Sequence, residues 1–435
     1  MISCGGGGGQ PGTSQAEAPP PPPSRKVEHV VVIVQENRTP DNLFHGLPNA
    51  DIANSGVNSS GQTIPLTPVV LAGQYDLGHT HRDFESMYDG GRMDGADKIK
   101  AICTAKNAVN CAAPHPQFRY VEPSEVEPYF QLAEKYTFAD RMFQTNQGPS
   151  FPAHQFIISG TSAPTADSDL FAAENPTGPL ALKNPLTDTG CAAPPRETVA
   201  LIDPDGDESA KQYPCFEHPT LMDLLDNQDI SWRYYTPLAG SIWTAPNAIR
   251  HLGTGFEWAN VILNQKQVLV DIATGHLSQV SWVIPSGQAS DHPRINTGLG
   301  PSWVASVVNA IGSSPYWQHT AIFITWDDWG GWYDHVPPPI YDSYEYGFRV
   351  PLIVVSPYAR TNYVSHAVHD FGSILRFIEN NYDLTSLGYA DSRADDLSDC
   401  FDFTRTPAQF EAVPAEHDAQ FFLNDTSPPQ PPDDD

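Results

Sequence analysis

Two apolar runs in this chain end on pairs of strong oxygen donors. In "HVVVIVQENRTPDNLF" five branched aliphatics lead, after Gln35, to Glu36 and Asn37. In "TAIFITWDDWGGWYDHVPPP" the run Ile322–Trp326 leads to Asp327 and Asp328, followed by two glycines that permit a tight turn. Brought together, three carboxylates and an amide oxygen repel one another unless a cation lies between them. Such hard donors suit a divalent ion: calcium, magnesium or manganese, with zinc or iron entering if a histidine joins. Each pair on its own also reads as an ordinary turn or helix cap, since Asp and Asn are common where strands end.

A nucleophile stands elsewhere. In "GPSFPAHQFIISG" the Gly148-Pro149 turn places Ser150 at an expected N-cap, with Pro152 at home in the first turn of a helix. A helix N-terminus offers amide donors and a positive dipole end, which favours an anionic phosphoryl group beside the hydroxyl. A capping serine is the plainer reading of the same residues. Histidines follow other strand-like runs: "VSWVIPSGQASDHP" brings Asp291 and His292, and "YDLGHTHRDF" brings His79 and His81 in a glycine-containing loop.

The elements that must position these groups alternate. Apolar runs without a polar face (Val30–Val34, "SQVSWVIP", "TAIFITW", "VPLIVVSP") are interleaved with helix-like segments ("EVEPYFQLAEKY", "SWVASVVNAIG", "DFGSILRFIENNY"). That pattern predicts an α/β fold: a doubly wound, mostly parallel sheet buried between helices. Ligands of such sheets bind beyond the carboxyl ends of the strands, where both acidic pairs stand. Residues 48–76 and 161–216, rich in Gly, Pro, Asp and Asn, read as long loop insertions.

With 52 acidic against 23 basic residues and a formal charge of −29 over 435 residues, the chain repels phosphate backbones, so no nucleic-acid partner is expected. Residues 1–26, with a glycine run and a proline run, read as a disordered leader in which Cys4 is a candidate lipid anchor of an extracytoplasmic lipoprotein. Residues 27–405 form the expected catalytic domain and residues 406–435 a C-terminal tail, whose end "SPPQPPDDD" reads as disordered. No stretch approaches the roughly 20 apolar residues of a spanning helix. The economical cysteine pairing is Cys103–Cys111 and Cys191–Cys215, with Cys400 left over.

The segments "VEHVVVIVQENRTPDNLFHG", "GPSFPAHQFIISGT", "SDHP", "TAIFITWDDWGGWYDHVPPP" and "YGFRVPLIVVSPYAR" resemble, in order, the phosphoesterase family of bacterial phospholipases C and related acid phosphatases, built on an alkaline-phosphatase-like fold. The resemblance runs from Val27 to about Asn380. It implies that Glu36, Asn37, Asp327 and Asp328 bind a metal ion, and that Ser150 is the nucleophile and also touches the metal. It further implies that His79 and His292 contact the phosphoryl group and that His335 belongs to a family motif, either in the site or as a structural residue. Where phospholipase C relatives carry Asp-His-Ser-Trp and a second His six residues on, this chain has Gly78-His79-Thr80-His81 and Glu85, and their C-terminal extension has no counterpart here. Both departures weaken the phospholipid reading in favour of a phosphomonoester.

The expected activity is therefore metal-dependent hydrolysis of a phosphoric ester, a phospholipid included, through a phosphoserine. The alternative from another class is a surface-tethered protein that binds metal and phosphate without chemistry. A sulfatase is disfavoured, because "Ser150-Phe151-Pro152-Ala153-His154" lacks the Arg of the Cys/Ser-x-Pro-x-Arg setting.

Overall fold

The computed structural model describes residues 1–2, 25–103, 113–178 and 189–432. Most of the expected leader, with Cys4, and the Cys111 half of the expected Cys103–Cys111 pair lie outside the described residues. At its centre is an eight-stranded sheet. In chain order the strands are β1 (His29–Gln35), β2 (Thr137–Ala139), β3 (Trp232–Tyr235), β4 (Val261–Ile262), β5 (Val280–Val283), β6 (Thr320–Trp326), β7 (Leu352–Val355) and β8 (Tyr363–Ser365). Across the sheet they run β4-β3-β5-β1-β6-β7-β2-β8. Only β7 is antiparallel to its neighbours. The α/β, mostly parallel architecture expected from the alternation is the one observed.

Strands β1 and β6 are buried along nearly their whole length, which requires both faces of the sheet to be covered. Helices of eight or more residues supply the cover: α1 (His81–Tyr88), α2 (Glu127–Lys135), α3 (Ser150–Ser159), α4 (Gln267–Thr274), α5 (Gly300–Gly312) and α6 (Phe371–Tyr382). Five of them pack in two groups, α2 and α4 on α5 and α3 on α6, while α1 lies beside the turn Ala96–Lys98. The insertions are more ordered than their composition suggested. They carry short strands of their own, pairing Ser55–Val57 with Thr63–Pro65 and Val199–Ile202 with Ala210–Gln212. The Cys191–Cys215 disulfide ties the second insertion together.

The C-terminal tail docks on the domain, and within the end expected to be disordered Gln430 is held by Gly287 and Gln288. Phe410 packs on Trp317 with ring centroids 4.9 Å apart, and Phe422 packs on Trp303 at 5.2 Å. Asn309 exchanges two hydrogen bonds with the Val413 backbone, and the Gln430 carbonyl accepts from the Gly287 amide. The polar, proline-rich composition hid three apolar residues, Phe410, Val413 and Phe422, whose burial holds the segment down.

A buried ion cluster fastens the loop after β1 to the loop after β6. The Arg349 guanidinium, fully buried, donates to Asp334 at 2.9 and 3.1 Å and to Asp41 at 3.3 Å, and to the carbonyls of Asp51 and Asp140. His335 sits against the same groups, Nδ1 at 2.8 Å from Asp41 and Nε2 at 3.1 Å from Asp51. Burial alone would lower its pKa, but the hydrogen bond and charge of Asp41, with Asp334 behind, raise it to about 9. A folded pKa above the ordinary 6.5 gives stability that is complete below that value and is lost as the pH rises through about 9. His335→Gln is expected to cost about 2 kcal/mol at neutral pH and progressively less in alkali. Thermal melts of both proteins across pH check this, and a pH-independent difference would exclude the ion pair as its source.

Candidate active site

The register of β1 and β6 builds the centre of the site. The strands pair in parallel from His29 opposite Thr320 to Gln35 opposite Trp326, and the Asp327 amide continues the ladder to the Gln35 carbonyl at 2.9 Å. Glu36-Asn37 and Asp327-Asp328 therefore leave the sheet side by side and at one level. Asn37 turns the chain with φ of 62°, in the left-handed region that Asn tolerates better than most residues, and its amide donates to Asp327 Oδ1 at 3.0 Å. The double glycine lets the second loop fold back over the first. A Cβ on Gly330 would lie 2.4 Å from the Asn37 carbonyl oxygen, and one on Gly331 would lie 2.4 Å from Leu77 Cβ.

Ser150 reaches this centre from α3, all of whose residues are buried. The structure shifts the serine by one place from the expected N-cap: Pro149 is the cap and Ser150 the first helical residue. The hydroxyl bonds no amide of its own helix but donates to Asp328 Oδ2 at 3.2 Å. The Phe151 amide is satisfied by Asn175 Oδ1 at 3.0 Å, so this helical donor, expected to face a phosphoryl group, is already engaged.

One turn further along α3, His154 completes the cluster. Its Nε2 lies 3.3 Å from Glu36 Oε1 and 3.7 Å from Asp327 Oδ2, with every partner fully buried. Sequence reading passed over this residue. The available signal was its spacing from Ser150, since positions i and i+4 share a helix face.

The chemistry of the donors fits a cation. Glu36 Oε1 and Oε2, Asn37 Oδ1, Asp327 Oδ2 and both His154 nitrogens are buried and, among the described residues, find no hydrogen-bond donor or acceptor. Each such atom costs about 1–3 kcal/mol if nothing satisfies it. One atom each of Glu36, His154 and Asp327 lies within 4.8 Å of the others, close enough to share an ion. Burial first, and the neighbouring Asp327 next, push Glu36 and Asp328 well above the ordinary carboxyl range. Burial lowers His154 to about 4, which leaves a neutral imidazole with a free lone pair. A divalent ion would reverse the carboxylate shifts. Three carboxylates, an amide and one imidazole could hold any of the expected ions, zinc and iron included.

The structure also brings His79 and His292 to the cluster. His79 Nδ1 bonds the Leu77 carbonyl at 2.8 Å, while Nε2 lies 3.2 Å from Asn37 Nδ2 and 3.9 Å from Asp328 Oδ2. Burial lowers the His79 pKa, but Asp328 and Asp76 outweigh it and lift the group to about 9. His292 faces His79 with ring centroids 6.3 Å apart and is held by its own Pro293 carbonyl at 2.8 Å. Its neighbour Asp291 is a framework residue, accepting from Tyr129 at 2.9 Å and Trp326 at 3.0 Å. His81 is drawn off to Glu208 and Gln147. His335 does not join this group: both its nitrogens are engaged in the Arg349 cluster described above.

A family model described as "Phosphoesterase family" matches residues 27–385, and the chain belongs to that family. The non-hemolytic phospholipase C of Burkholderia pseudomallei is 24% identical over 410 residues, covering 81% of this chain and 55% of the relative. That of Pseudomonas aeruginosa is 22% identical, covering 86% and 57%. Phospholipase C A of Mycobacterium tuberculosis is 22% identical, covering 87% and 78%. The chain thus spans little more than half the length of the first two. Among solved structures, a Vibrio parahaemolyticus protein in the alkaline phosphatase superfamily overlays with a TM-score of 0.38 at 10% identity, covering 85% of this chain and 70% of the other. Murine ectonucleotide pyrophosphatase/phosphodiesterase 5 gives 0.40 at 7%, covering 86% and 100%.

Addition of a divalent ion to chelator-treated protein is expected to raise the melting temperature, and His154→Gln to need at least about tenfold more ion for the same rise. No response to calcium, magnesium, manganese, iron or zinc would remove the cation from this cluster.

Proposed function

We propose that this chain is a metal-dependent phosphoric ester hydrolase in which Ser150 is the nucleophile. The observation that carries the reading is the Ser150 hydroxyl donating to Asp328 beside a buried set of unsatisfied oxygen and nitrogen donors. Glu36, Asn37, Asp327, Asp328 and His154 would hold the ion. When bound, it supplies Lewis-acid stabilisation of the phosphoryl oxygens and of a deprotonated Ser150 oxygen.

The residues divide the remaining work. Asp328 orients the Ser150 hydroxyl and accepts its hydrogen bond, so the oxygen presents a lone pair to phosphorus from a fixed position on a buried helix. With each Nδ1 held by a carbonyl, His79 and His292 would turn Nε2 to the phosphoryl group and, as imidazolium, donate its N–H to the phosphoryl oxygens or pass that proton to the departing alcohol. The ester oxygen leaves with a proton, the phosphoryl group stays on Ser150, and water then releases it by in-line attack on the same phosphorus. Asn37, bonded to both Asp327 and His79, keeps the ion-binding and phosphoryl-binding groups in register.

The relatives named phospholipase C support an ester of phosphoric acid and make phospholipid one candidate substrate. A phosphomonoester remains in contention because of the Gly78–Glu85 departures. The Cys191–Cys215 disulfide supports an extracytoplasmic location. Among the described residues, no helix is long and apolar enough to cross a membrane.

Purified protein supplied with each divalent ion and offered p-nitrophenyl phosphate, bis-p-nitrophenyl phosphate and phosphatidylcholine is expected to turn over at least one ester. Ser150→Ala is expected to lose about 10³-fold or more in kcat. Acid quenching during turnover is expected to trap phosphate on Ser150, read as a peptide mass shift. Phosphate binding with no turnover of any ester would favour the non-catalytic binding protein, and full activity in Ser150→Ala would remove the serine from its role.

A further inference from the structure

Cys400, the cysteine left over by the expected pairing, is free and buried. It closes the turn Ser398–Cys400 and lies against His369, which stands just ahead of α6 and is also fully buried. Asp399 Oδ1 joins the two: it is 3.5 Å from Cys400 Sγ and 3.6 Å from His369 Nε2. One donor atom from each of the three residues falls within a 4.8 Å group. Tetrahedral zinc with bonds of about 2.3 Å to sulfur and about 2.0 Å to nitrogen and oxygen spaces its ligands about 3.3–3.5 Å apart. Both distances to Asp399 Oδ1 stand close to that spacing.

The surroundings point the same way. On the far side of the imidazole, His369 Nδ1 lies 2.9 Å from Asp395 Oδ1, the carboxylate placement that orients a zinc-bound histidine and raises its basicity. Ser365 Oγ donates to the other oxygen of Asp399 and so holds that carboxylate toward the ring, and its 3.0 Å contact with Nε2 is one that the ion would displace. Asp395 and Asp399 are 39% and 32% exposed, which gives an ion a way in and leaves water able to fill a fourth position.

We propose that His369, Asp399 and Cys400 form a second metal site, separate from the Glu36–Asp327 centre, that takes zinc and that Asp395 positions from behind. Thiolate and imidazole select zinc over magnesium or calcium. Binding releases the Cys400 thiol proton to solvent and involves no redox step. The ion would tie the turn Ser398–Cys400, after α6, to His369 just ahead of that helix.

Cobalt(II) distinguishes this site from the catalytic one, because a thiolate ligand gives a near-ultraviolet charge-transfer absorption that an oxygen and imidazole site does not. Chelator-treated full-length protein is expected to develop this absorption, to saturate it at one cobalt per chain, and to lose it when zinc is added. The absorption is expected to persist in Asp327→Asn and in Cys4→Ser and to vanish in Cys400→Ser. Asp395→Asn is expected to retain it with affinity lowered about 10- to 100-fold. Absence of the absorption from wild type, or its survival in Cys400→Ser, would overturn the proposal. Should Cys400→Ser not fold, Cys4→Ser decides: the absorption there supports the site and its loss refutes it.

Discussion

The interaction on which this structure turns is mutual repulsion among Glu36, Asp327 and Asp328, forced by the β1–β6 ladder to share one buried place. Two parallel strands in register cannot end apart, so the seven paired positions from His29 to Gln35 commit their carboxyl ends to the same spot. Burying apolar side chains on both faces of the sheet contributes about 1.5–3 kcal/mol per residue. Strand β1 alone places Val30 to Val34 at zero exposure. That sum outweighs the cost of crowding the acids, and the fold can therefore hold a set of ligands that would otherwise separate. The cost is left in place as unsatisfied oxygens, and a cation, as proposed, would relieve all of them together.

The same constraint explains why the surrounding loops are pinned so thoroughly. Asn37 lies in the left-handed region, Gly330 and Gly331 cross other chains too closely for a Cβ, and Arg349 clamps Asp41 and Asp334 from below. Each device restricts where a donor atom can lie, as a coordination shell would require. His335 belongs to this scaffolding. Its two carboxylate partners hold the loops that present the metal-binding residues, so its influence on chemistry passes through position.

What the sequence disclosed divides along a physical line. Strand ends were legible because an apolar run stopping on two oxygen donors is a local pattern, and the parallel sheet converts it into a shared location. Glu36, Asn37, Asp327 and Asp328 were singled out that way, as were Ser150 at a helix entry and His79 and His292 beside glycine or strand ends, and the family resemblance then attached roles to them. His154 was not found, because a histidine inside the apolar helix "SFPAHQFIIS" looks like core packing until β1 and β6 are placed opposite it. Ser150 read as a helix cap because Gly-Pro-Ser is a common entry to a helix, whereas its hydroxyl is drawn to Asp328 by a long-range contact. His335 carried a motif but no indication that Arg349 and Asp41 would claim it. The apolar residues of the last segment were too sparse to reveal their docking.

Placement of the reacting groups on strand ends and a fully buried helix also constrains how selectivity can arise. A hydroxyl on α3 and acids on β1 and β6 have little freedom, so the geometry around phosphorus is set by the core and changes only with it. The loops over the sheet add apolar packing of their own, Phe84 on Phe348 and Phe171 on Phe156, while their polar groups approach the centre through contacts such as His81 to Gln147 and the His81 amide to Glu174. On the proposed function, discrimination between a bare phosphate monoester and a diester with a large second alcohol would fall chiefly to these loops, because the groups on strand ends and α3 are fixed by the core beneath. Reaction class and substrate choice would then be carried by different layers of the fold.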